Sequence, residues 1–226
     1  MVNYIAGIDE AGRGPLIGPL VIAVAAIIEG HEQSLKETGV KDSKLLSEKQ
    51  REEILKELEK HVKYEFLMIH PSEIDEAVLS QNTNLNWLEA DHGADLLNKL
   101  DAKLDNDIIR AIIDCPSTNI SSYTRYFSAK VDNKDIKLVV EHKADFNHVI
   151  VGAASIIAKV TREKELEKIK HKLKIDFGSG YPSDPKTKDF VEKNWNNPKY
   201  SILFRKSWAT YQNIAKKNSQ KSLDGF

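Results

Sequence analysis

Apolar residues along this chain form two kinds of pattern, and the two alternate. Five short runs rich in β-branched residues, bounded by turn-forming or acidic residues, predict buried strands. These runs cover residues 4–9, 20–28, 62–69, 108–113 and 136–140. Most of the intervening stretches carry apolar residues three and four positions apart, which is the spacing of one helix face. Strands interleaved with helices predict an α/β sandwich around a central sheet.

The link between the first two predicted strands lacks helical spacing. It is rich in residues that favour turns, namely Gly12, Gly14, Pro15, Gly18 and Pro19. Glycine and proline at this density indicate an irregular loop rather than a crossover helix. Because parallel neighbours need a long crossover, we expect a mixed sheet rather than an all-parallel one.

Composition narrows the class of protein. The 226 residues include a single Cys, which excludes an intramolecular disulfide and a Cys-based zinc site. The longest apolar run, Leu16 to Ile28, is interrupted by Gly18 and Pro19 and is shorter than the about 20 residues that a membrane span needs. The N-terminus lacks the pattern of a signal peptide. We therefore expect a cytoplasmic protein that does not engage a membrane.

The formal net charge of −1 conceals an uneven distribution of charge. Residues 1–158 hold 17 basic and 26 acidic residues, whereas residues 159–226 hold 16 basic and 8 acidic residues. A basic segment of this kind fits a polyanionic partner such as nucleic acid. The alternative is a solvated helix face whose lysines have no specific partner.

Carboxylates stand where predicted strands end. Asp9 and Glu10 close the first strand, Asp114 closes the fourth, and Asp145 lies just after the fifth. Ligands bind at the carboxyl ends of strands in open α/β sheets, and carboxylate oxygens suit Mg²⁺ or Mn²⁺. Two such ions can support phosphodiester hydrolysis, so the pattern favours a two-metal phosphodiesterase. Alternatively, Asp114 caps a turn and Asp145 caps the following helix.

Motifs in register over about residues 4–210 carry a family resemblance. They are Gly7-Ile8-Asp9-Glu10-Ala11-Gly12-Arg13-Gly14-Pro15, Asp42-Ser43-Lys44-Leu45-Leu46-Ser47, Asp114 after an apolar strand, Glu141-His142-Lys143-Ala144-Asp145, the segment from Ala153 to Val160, and Gly178-Ser179-Gly180-Tyr181-Pro182-Ser183-Asp184-Pro185. Together they resemble ribonuclease HII, the type 2 ribonuclease H family, in its archaeal form. The resemblance implies an RNase H-like fold, with a mixed five-stranded sheet flanked by helices and a small helical C-terminal extension. The corresponding domains are an RNase H-like catalytic domain at 1–185, the extension at 186–215 and a flexible tail at 216–226.

The resemblance also implies an activity and its cofactors. It implies hydrolysis of the RNA strand of RNA–DNA hybrids and nicking 5′ of ribonucleotides embedded in duplex DNA, as in ribonucleotide excision repair and DNA replication. The products would carry 3′-hydroxyl and 5′-phosphate ends. Asp9, Glu10, Asp114 and Asp145 match the family's catalytic carboxylates, which would hold two Mg²⁺ or Mn²⁺ ions.

Further residues match the family's substrate contacts. Gly12, Arg13 and Gly14 match a loop whose backbone contacts the ribonucleotide 2′-hydroxyl, the group that distinguishes RNA from DNA. Tyr181 matches a tyrosine that stacks beside that nucleotide, although a packed loop tyrosine is the alternative. The remaining expected contacts are Ser43, Lys44, Lys143, Ser155 and Lys159.

The C-terminal residues resemble a PCNA-interacting peptide, in which Gln220, Leu223 and Phe226 would bind the sliding clamp. A single terminal aromatic stands where two are usual, and the alternative is an ordinary frayed terminus.

We expect a monomer. Two other functions remain open: a clamp-tethered hybrid-binding module that has lost catalysis, and a different two-metal nuclease such as a junction resolvase. The complete set of four carboxylates argues against the first of these.

Overall fold

The structure, a computed structural model, describes residues 2–40 and 46–223, with side chains described as far as Gln220. Five strands form one sheet in the order β3-β2-β1-β4-β5. The strands are β1 Tyr4–Ala11, β2 Leu20–Ile28, β3 Lys63–Ile69, β4 Ile108–Asp114 and β5 Lys137–Glu141. β1 is antiparallel to β2 and parallel to β4, which is parallel to β5. The prediction of a mixed five-stranded sheet flanked by helices is confirmed.

Helices occupy most of the segments where helical spacing is found. In the described residues they are α1 Glu32–Glu37, α2 Glu48–Leu58, α3 Pro71–Leu79, α4 Leu85–Lys103, α5 Ile120–Lys130, α6 Ala144–Asn147, α7 Val149–Leu173, α8 Pro185–Asn194 and α9 Ala209–Leu223. Local sequence explains where several begin. Ser47 and Gln50 form a capping box at α2, and Asn119 accepts a hydrogen bond from the Ser122 amide at α5. No helix of the described segments is both long and apolar enough to cross a membrane.

The chain divides into two compact units, of which the first carries the sheet. It comprises the residues up to Ala11, then Val21–Met68 and Asn86–Glu163. Small residues bring one face of β1 close to the start of α7. A Cβ placed on Gly7 would lie 2.6 Å from backbone atoms of Ile150, so only glycine permits this approach of strand and helix. On the opposite face, Gly93 of α4 lies against Phe127.

The second unit comprises Gly12–Leu20, Ile69–Leu85 and the residues from Lys164 onward. Its core includes an aromatic cluster in which Phe204 lies 6.1 Å from Phe190 and 5.6 Å from Tyr211 between ring centroids. Leu16 and Ile17 of the glycine-rich loop are fully buried in this core. The domain boundaries expected from the sequence stay predictions. α9 continues to Leu223 and so spans the boundary expected at residue 215.

Candidate active site

The register of the parallel strands brings acidic residues level at one edge of the sheet. Ile8 of β1 lies opposite Ile113 of β4, so the residues that follow them, Asp9 and Asp114, stand side by side. Asp114 in turn lies opposite Glu141 at the end of β5. Carboxyl ends of adjacent parallel strands share an edge, which is the arrangement that the strand-end pattern predicts.

Asp9 is a buried carboxylate, with 6% of its surface exposed. Its Oδ1 accepts a hydrogen bond of 2.8 Å from the Glu10 amide. Burial raises the pKa of the Asp9 carboxyl well above its usual value, and the charges of Glu10 and Asp114 raise it further. The nearby Ser155 hydroxyl and the hydrogen bond from the Glu10 amide act in the opposite direction and lower this pKa. Asp9 is therefore held where its negative charge is costly unless a cation offsets it.

A fourth acidic residue, which the sequence analysis missed, joins this group. Asp9, Glu10 and Asp114 line one small cavity together with Glu89 of α4. Glu89 is only 4% exposed, although glutamate is rarely buried. Because Glu89 sits in the middle of a helix, the strand-end rule could not select it. The available signal was its place between Leu88 and Ala90, within the apolar pattern of the helix.

Asp145 is positioned by a short turn after β5. Lys143 adopts the left-handed conformation, with φ of 59° and ψ of 34°, and is the N-cap of α6. The Ala144 amide donates a 3.0 Å hydrogen bond to Asp114 Oδ1, which ties the start of α6 to the end of β4. Asp145 follows in the first turn of α6. It does not belong to the lining of the cavity that the other three predicted carboxylates share.

The other predicted contacts of the first unit differ in exposure. Ser155 is buried on α7, where its hydroxyl lies close enough to Asp9 to lower the pKa of that carboxyl. Lys159 lies one helical turn further along α7 and is partly buried, whereas Lys143 is exposed. Ser43, Lys44 and Phe226 lie outside the described residues. Gln220 is exposed on α9, and Leu223 is the last residue of that helix.

The glycine-rich loop and Tyr181 come together in the second unit. Gly12 has a φ of 90°, a conformation that favours glycine. The Leu16 amide donates a 2.7 Å hydrogen bond to the Gly180 carbonyl, which joins the two loops. A Cβ on Gly14 would lie 3.9 Å from Cε1 of Tyr181, whose side chain is 40% exposed. An exposed aromatic ring beside a glycine backbone is a surface on which a nucleotide can stack.

Arg205 is a second residue that the sequence analysis missed. Its side chain is completely buried, with 0% exposure. Its guanidinium donates to the carbonyls of Gly12, Arg13 and Gly18 in the same unit. The basic composition of the C-terminal segment suggested exposed cations, so nothing local marked this arginine as buried.

The acidic residues at the sheet edge carry the oxygen donors that a divalent cation needs. Within residues 2–40 and 46–223, no three Asp, Glu, His or Cys side chains already surround one point as a ligand set. The chemistry of the donors nonetheless fits. Asp9, Glu10 and Asp114 supply hard oxygen atoms around one cavity, and burial together with the charges of Glu10 and Asp114 raises the pKa of Asp9.

Fold and sequence comparison together identify the family. The mixed sheet with its helices has the RNase H-like fold. The sequence profile of the Ribonuclease HII family matches residues 6–211, and the chain belongs to this family. It is therefore a hydrolase of the type 2 ribonuclease H class, an endonuclease of the RNA strand in RNA–DNA hybrids.

Relatives and solved structures agree over nearly the whole chain. Ribonuclease HII of Methanococcus maripaludis strain C6 is 44% identical over 225 residues, covering 98% of this chain and 91% of that protein. The crystal structure of ribonuclease H2 from Pyrococcus horikoshii OT3 is similar with a TM-score of 0.82 and 39% identity, covering 95% of this chain and 98% of the other. RNase HII in the PCNA:RNase HII complex from Archaeoglobus fulgidus gives a TM-score of 0.80 and 36% identity, covering 93% and 96% of the two chains.

Proposed function

We propose that this ribonuclease nicks 5′ of ribonucleotides embedded in duplex DNA, in addition to cleaving hybrids, and leaves 3′-hydroxyl and 5′-phosphate ends. The observation that carries the proposal is the level placement of Asp9 and Asp114 at the carboxyl edge of the sheet, with Glu10 on the same cavity. Asp9, Glu10, Asp114 and Asp145 are the proposed ligands of two Mg²⁺ or Mn²⁺ ions. When bound, such ions activate a water and stabilise the leaving oxygen of the phosphodiester.

The chain's own groups prepare the site for cations. Burial and the neighbouring charges of Glu10 and Asp114 make an ionised Asp9 unfavourable, so a bound cation lowers the free energy of this site. The Glu10 amide holds Asp9 Oδ1 at 2.8 Å. The Ala144 amide similarly holds Asp114 Oδ1 at 3.0 Å. These two hydrogen bonds fix carboxylates that would otherwise repel one another.

Recognition of the ribonucleotide is assigned to the second unit. The backbone of Gly12, Arg13 and Gly14 contacts the 2′-hydroxyl, because glycine lets main-chain donors approach a ligand closely. Tyr181 stacks beside the same nucleotide, which agrees with its exposed ring next to Gly14. Lys143, Ser155 and Lys159 remain proposed neighbours of the phosphate backbone, together with Ser43 and Lys44.

A cleavage assay tests this function. The purified protein with Mg²⁺ or Mn²⁺ is expected to nick a labelled duplex that contains one ribonucleotide, with the predicted product ends. Asp9→Asn should reduce cleavage to background, whereas Asp135→Asn, a matched change at an exposed position, should leave it unchanged. Binding of the duplex without cleavage would favour a hybrid-binding module. Equal cleavage of an all-DNA junction would favour a resolvase.

Tyr181 gives a separate test of the recognition step. Tyr181→Ala is expected to impair cleavage of the single-ribonucleotide duplex more than cleavage of a long hybrid, because a long hybrid offers many positions for productive binding. The two substrates are compared by kcat/KM under one set of conditions. Equal losses on both would contradict the stacking role.

The same protein is proposed to bind PCNA through Gln220, Leu223 and Phe226. A relative 36% identical to this chain has been solved as a PCNA:RNase HII complex, which supports the partner. The exposure of Gln220 near the end of α9 agrees with this role. Deletion of residues 220–226 should abolish PCNA binding in a surface-plasmon assay and spare basal cleavage.

Because all proposed catalytic residues belong to one chain, a monomer should be active. Sedimentation measured together with cleavage activity would test this.

A further inference from the structure

The guanidinium of Arg205 is held by main-chain oxygens of the glycine-rich loop. Nη2 donates to the carbonyls of Gly12 at 2.6 Å and Gly18 at 3.0 Å. Nη1 donates to the Arg13 carbonyl at 2.8 Å, and Nε donates to the Gly18 carbonyl at 3.1 Å. Hydrogen bonds from a charged donor are stronger than neutral ones, and the planar fork of arginine suits several acceptors at once. Arg205 therefore connects both ends of the loop through one side chain.

The backbone on both sides restrains this guanidinium. The Arg205 amide donates to the Leu16 carbonyl at 2.9 Å, and Ile17 forms an isolated antiparallel bridge with Phe204. The Cζ of Arg205 also lies 5.1 Å from the ring centre of Trp208, within the range of a cation–π contact. Loop and arginine are thus fixed relative to each other by main-chain and side-chain contacts of the same unit.

Because the peptide group is planar, the hydrogen bonds of Arg205 to the loop carbonyls also fix the direction in which the loop amides point. In a trans peptide, the carbonyl of one residue and the amide of the next point to opposite sides. Since the carbonyls of Gly12 and Arg13 point toward the guanidinium, the amides of Arg13 and Gly14 point away from it. Two successive amides are therefore presented on the side of the loop opposite Arg205.

We propose that Arg205 is a positioning residue for ribonucleotide recognition. By holding the carbonyls of Gly12 and Arg13, it aims the amides of Arg13 and Gly14 at the 2′-oxygen of the ribonucleotide. This inference rests on the proposed role of the loop in contacting the 2′-hydroxyl. A lysine at this position would keep the charge but could not match three carbonyls with a planar fork. The orientation of the amides, and not only the stability of the loop, depends on the guanidinium.

A double-mutant cycle tests the proposal, in which one change is made in the protein and the other in the substrate. The substrates are a duplex with one ribonucleotide and the same duplex with 2′-fluorine at that nucleotide, since fluorine cannot donate and accepts poorly. For the wild type, we expect kcat/KM to fall about 100-fold or more with the fluorine substrate, as in sites that hydrogen-bond a substrate hydroxyl. For Arg205→Lys, the ratio between the two substrates should shrink to less than about tenfold, because misdirected amides no longer distinguish them. Arg125→Lys, at an exposed position of α5, should keep the wild-type ratio.

The possible results separate this inference from the function on which it rests. A purely structural role would lower the rate on both substrates equally and leave the ratio unchanged, which would overturn the positioning role alone. A wild-type ratio near one would overturn the loop contact with the 2′-hydroxyl, and this proposal with it. Failure of the wild type to nick the ribonucleotide duplex at all would instead refute the proposed function.

A second measurement does not depend on the folding of the variant. Amide signals of the wild-type protein are recorded by NMR with the 2′-hydroxyl duplex and with the 2′-fluorine duplex, in EDTA to prevent cleavage. The amides of Arg13 and Gly14 should respond most to the exchange of hydroxyl for fluorine, whereas that of Gly18 should not. A response confined to other amides would contradict the proposed direction.

Discussion

Gly7 allows a sharp test of how closely the sheet edge and α7 must pack for the site to work. A Cβ on this residue would lie 2.6 Å from the carbonyl group of Ile150 and from the amide nitrogen of Val151, whereas ordinary contacts begin at 3.4 Å. The obstructing atoms are backbone and cannot rotate away. Gly7→Ala must therefore separate β1 from the start of α7 by about 0.8 Å.

The expected cost follows from that separation. Overpacking of this kind typically costs about 1–3 kcal/mol, and we expect about 3 kcal/mol here because both sides of the contact are main chain. For a chain of this size, that loss lowers Tm by roughly 6–12 °C. The same displacement moves Asp9, two residues along β1, relative to Ser155 on α7. Since a misplacement of about 1 Å can reduce catalysis about 100-fold, kcat should fall by a comparable factor.

Urea unfolding followed by circular dichroism, together with cleavage kinetics, measures both effects. Gly93→Ala is the matched control on the opposite face of β1. The Cβ would lie 3.1 Å from a side-chain atom of Phe127, which requires a shift of only a few tenths of an ångström, and alanine favours the helix by up to about 1 kcal/mol. We expect the control to stay within about 1 kcal/mol of the wild type with full activity. Equal stability and activity of Gly7→Ala would refute the close-packing argument.

Other changes give predictions with distinct readouts. Asp9→Asn should abolish cleavage and, in EDTA at neutral pH, raise Tm. Because the pKa of Asp9 is raised in the folded protein, the folded state loses stability as pH rises above the pKa that Asp9 has in the unfolded chain. The increase in Tm should therefore vanish as pH falls through about 4, where Asp9 becomes protonated in both states. Lys143→Gly should stabilise the protein by about 1 kcal/mol in urea unfolding, because the left-handed conformation suits glycine, and should raise KM if the ammonium binds phosphate as proposed. Backbone hydrogen bonds, first that of the Ser179 amide, lower the pKa of Asp184 in the folded protein. The stability that ionised Asp184 contributes is therefore present above the pKa of the unfolded state and is lost as pH falls through the pKa of the folded state. Asp184→Asn should weaken the dependence of Tm on pH below about pH 4. A dependence as steep as that of the wild type would contradict this assignment.

The parts of the site that lie at strand ends could be predicted from the sequence. A β-branched run that stops at an acidic residue indicates both the strand and its end, and parallel neighbours share an edge. Asp9 and Asp114 were therefore expected at the ends of their strands, and the pairing of Ile8 with Ile113 then sets the two residues side by side. Local chemistry also sufficed for the helix starts at Ser47 and Asn119, because a capping side chain acts within three residues.

The parts that depend on distant contacts could not be predicted. The hydrogen bonds of Arg205 join it to carbonyls 187 to 193 residues away in sequence, and no local pattern reports such contacts. Arg205 also belongs to the basic C-terminal segment, whose composition predicts exposed cations. Glu89 was missed for a related reason. The helical pattern around it predicts a buried face, but it does not show which polar residue lies on that face.

The two buried charges, Asp9 and Arg205, illustrate how a positioning group differs from a group that binds a ligand. Arg205 meets three carbonyls of its own chain with four hydrogen bonds, so the protein itself satisfies its charge. Asp9 accepts a hydrogen bond from the Glu10 amide, but burial and the charges of Glu10 and Asp114 disfavour its ionised form, so its pKa is raised. A buried charge whose surroundings oppose it destabilises the fold unless something from outside offsets it. That contrast agrees with the proposed roles of Arg205 in positioning the loop and of Asp9 in binding a cation.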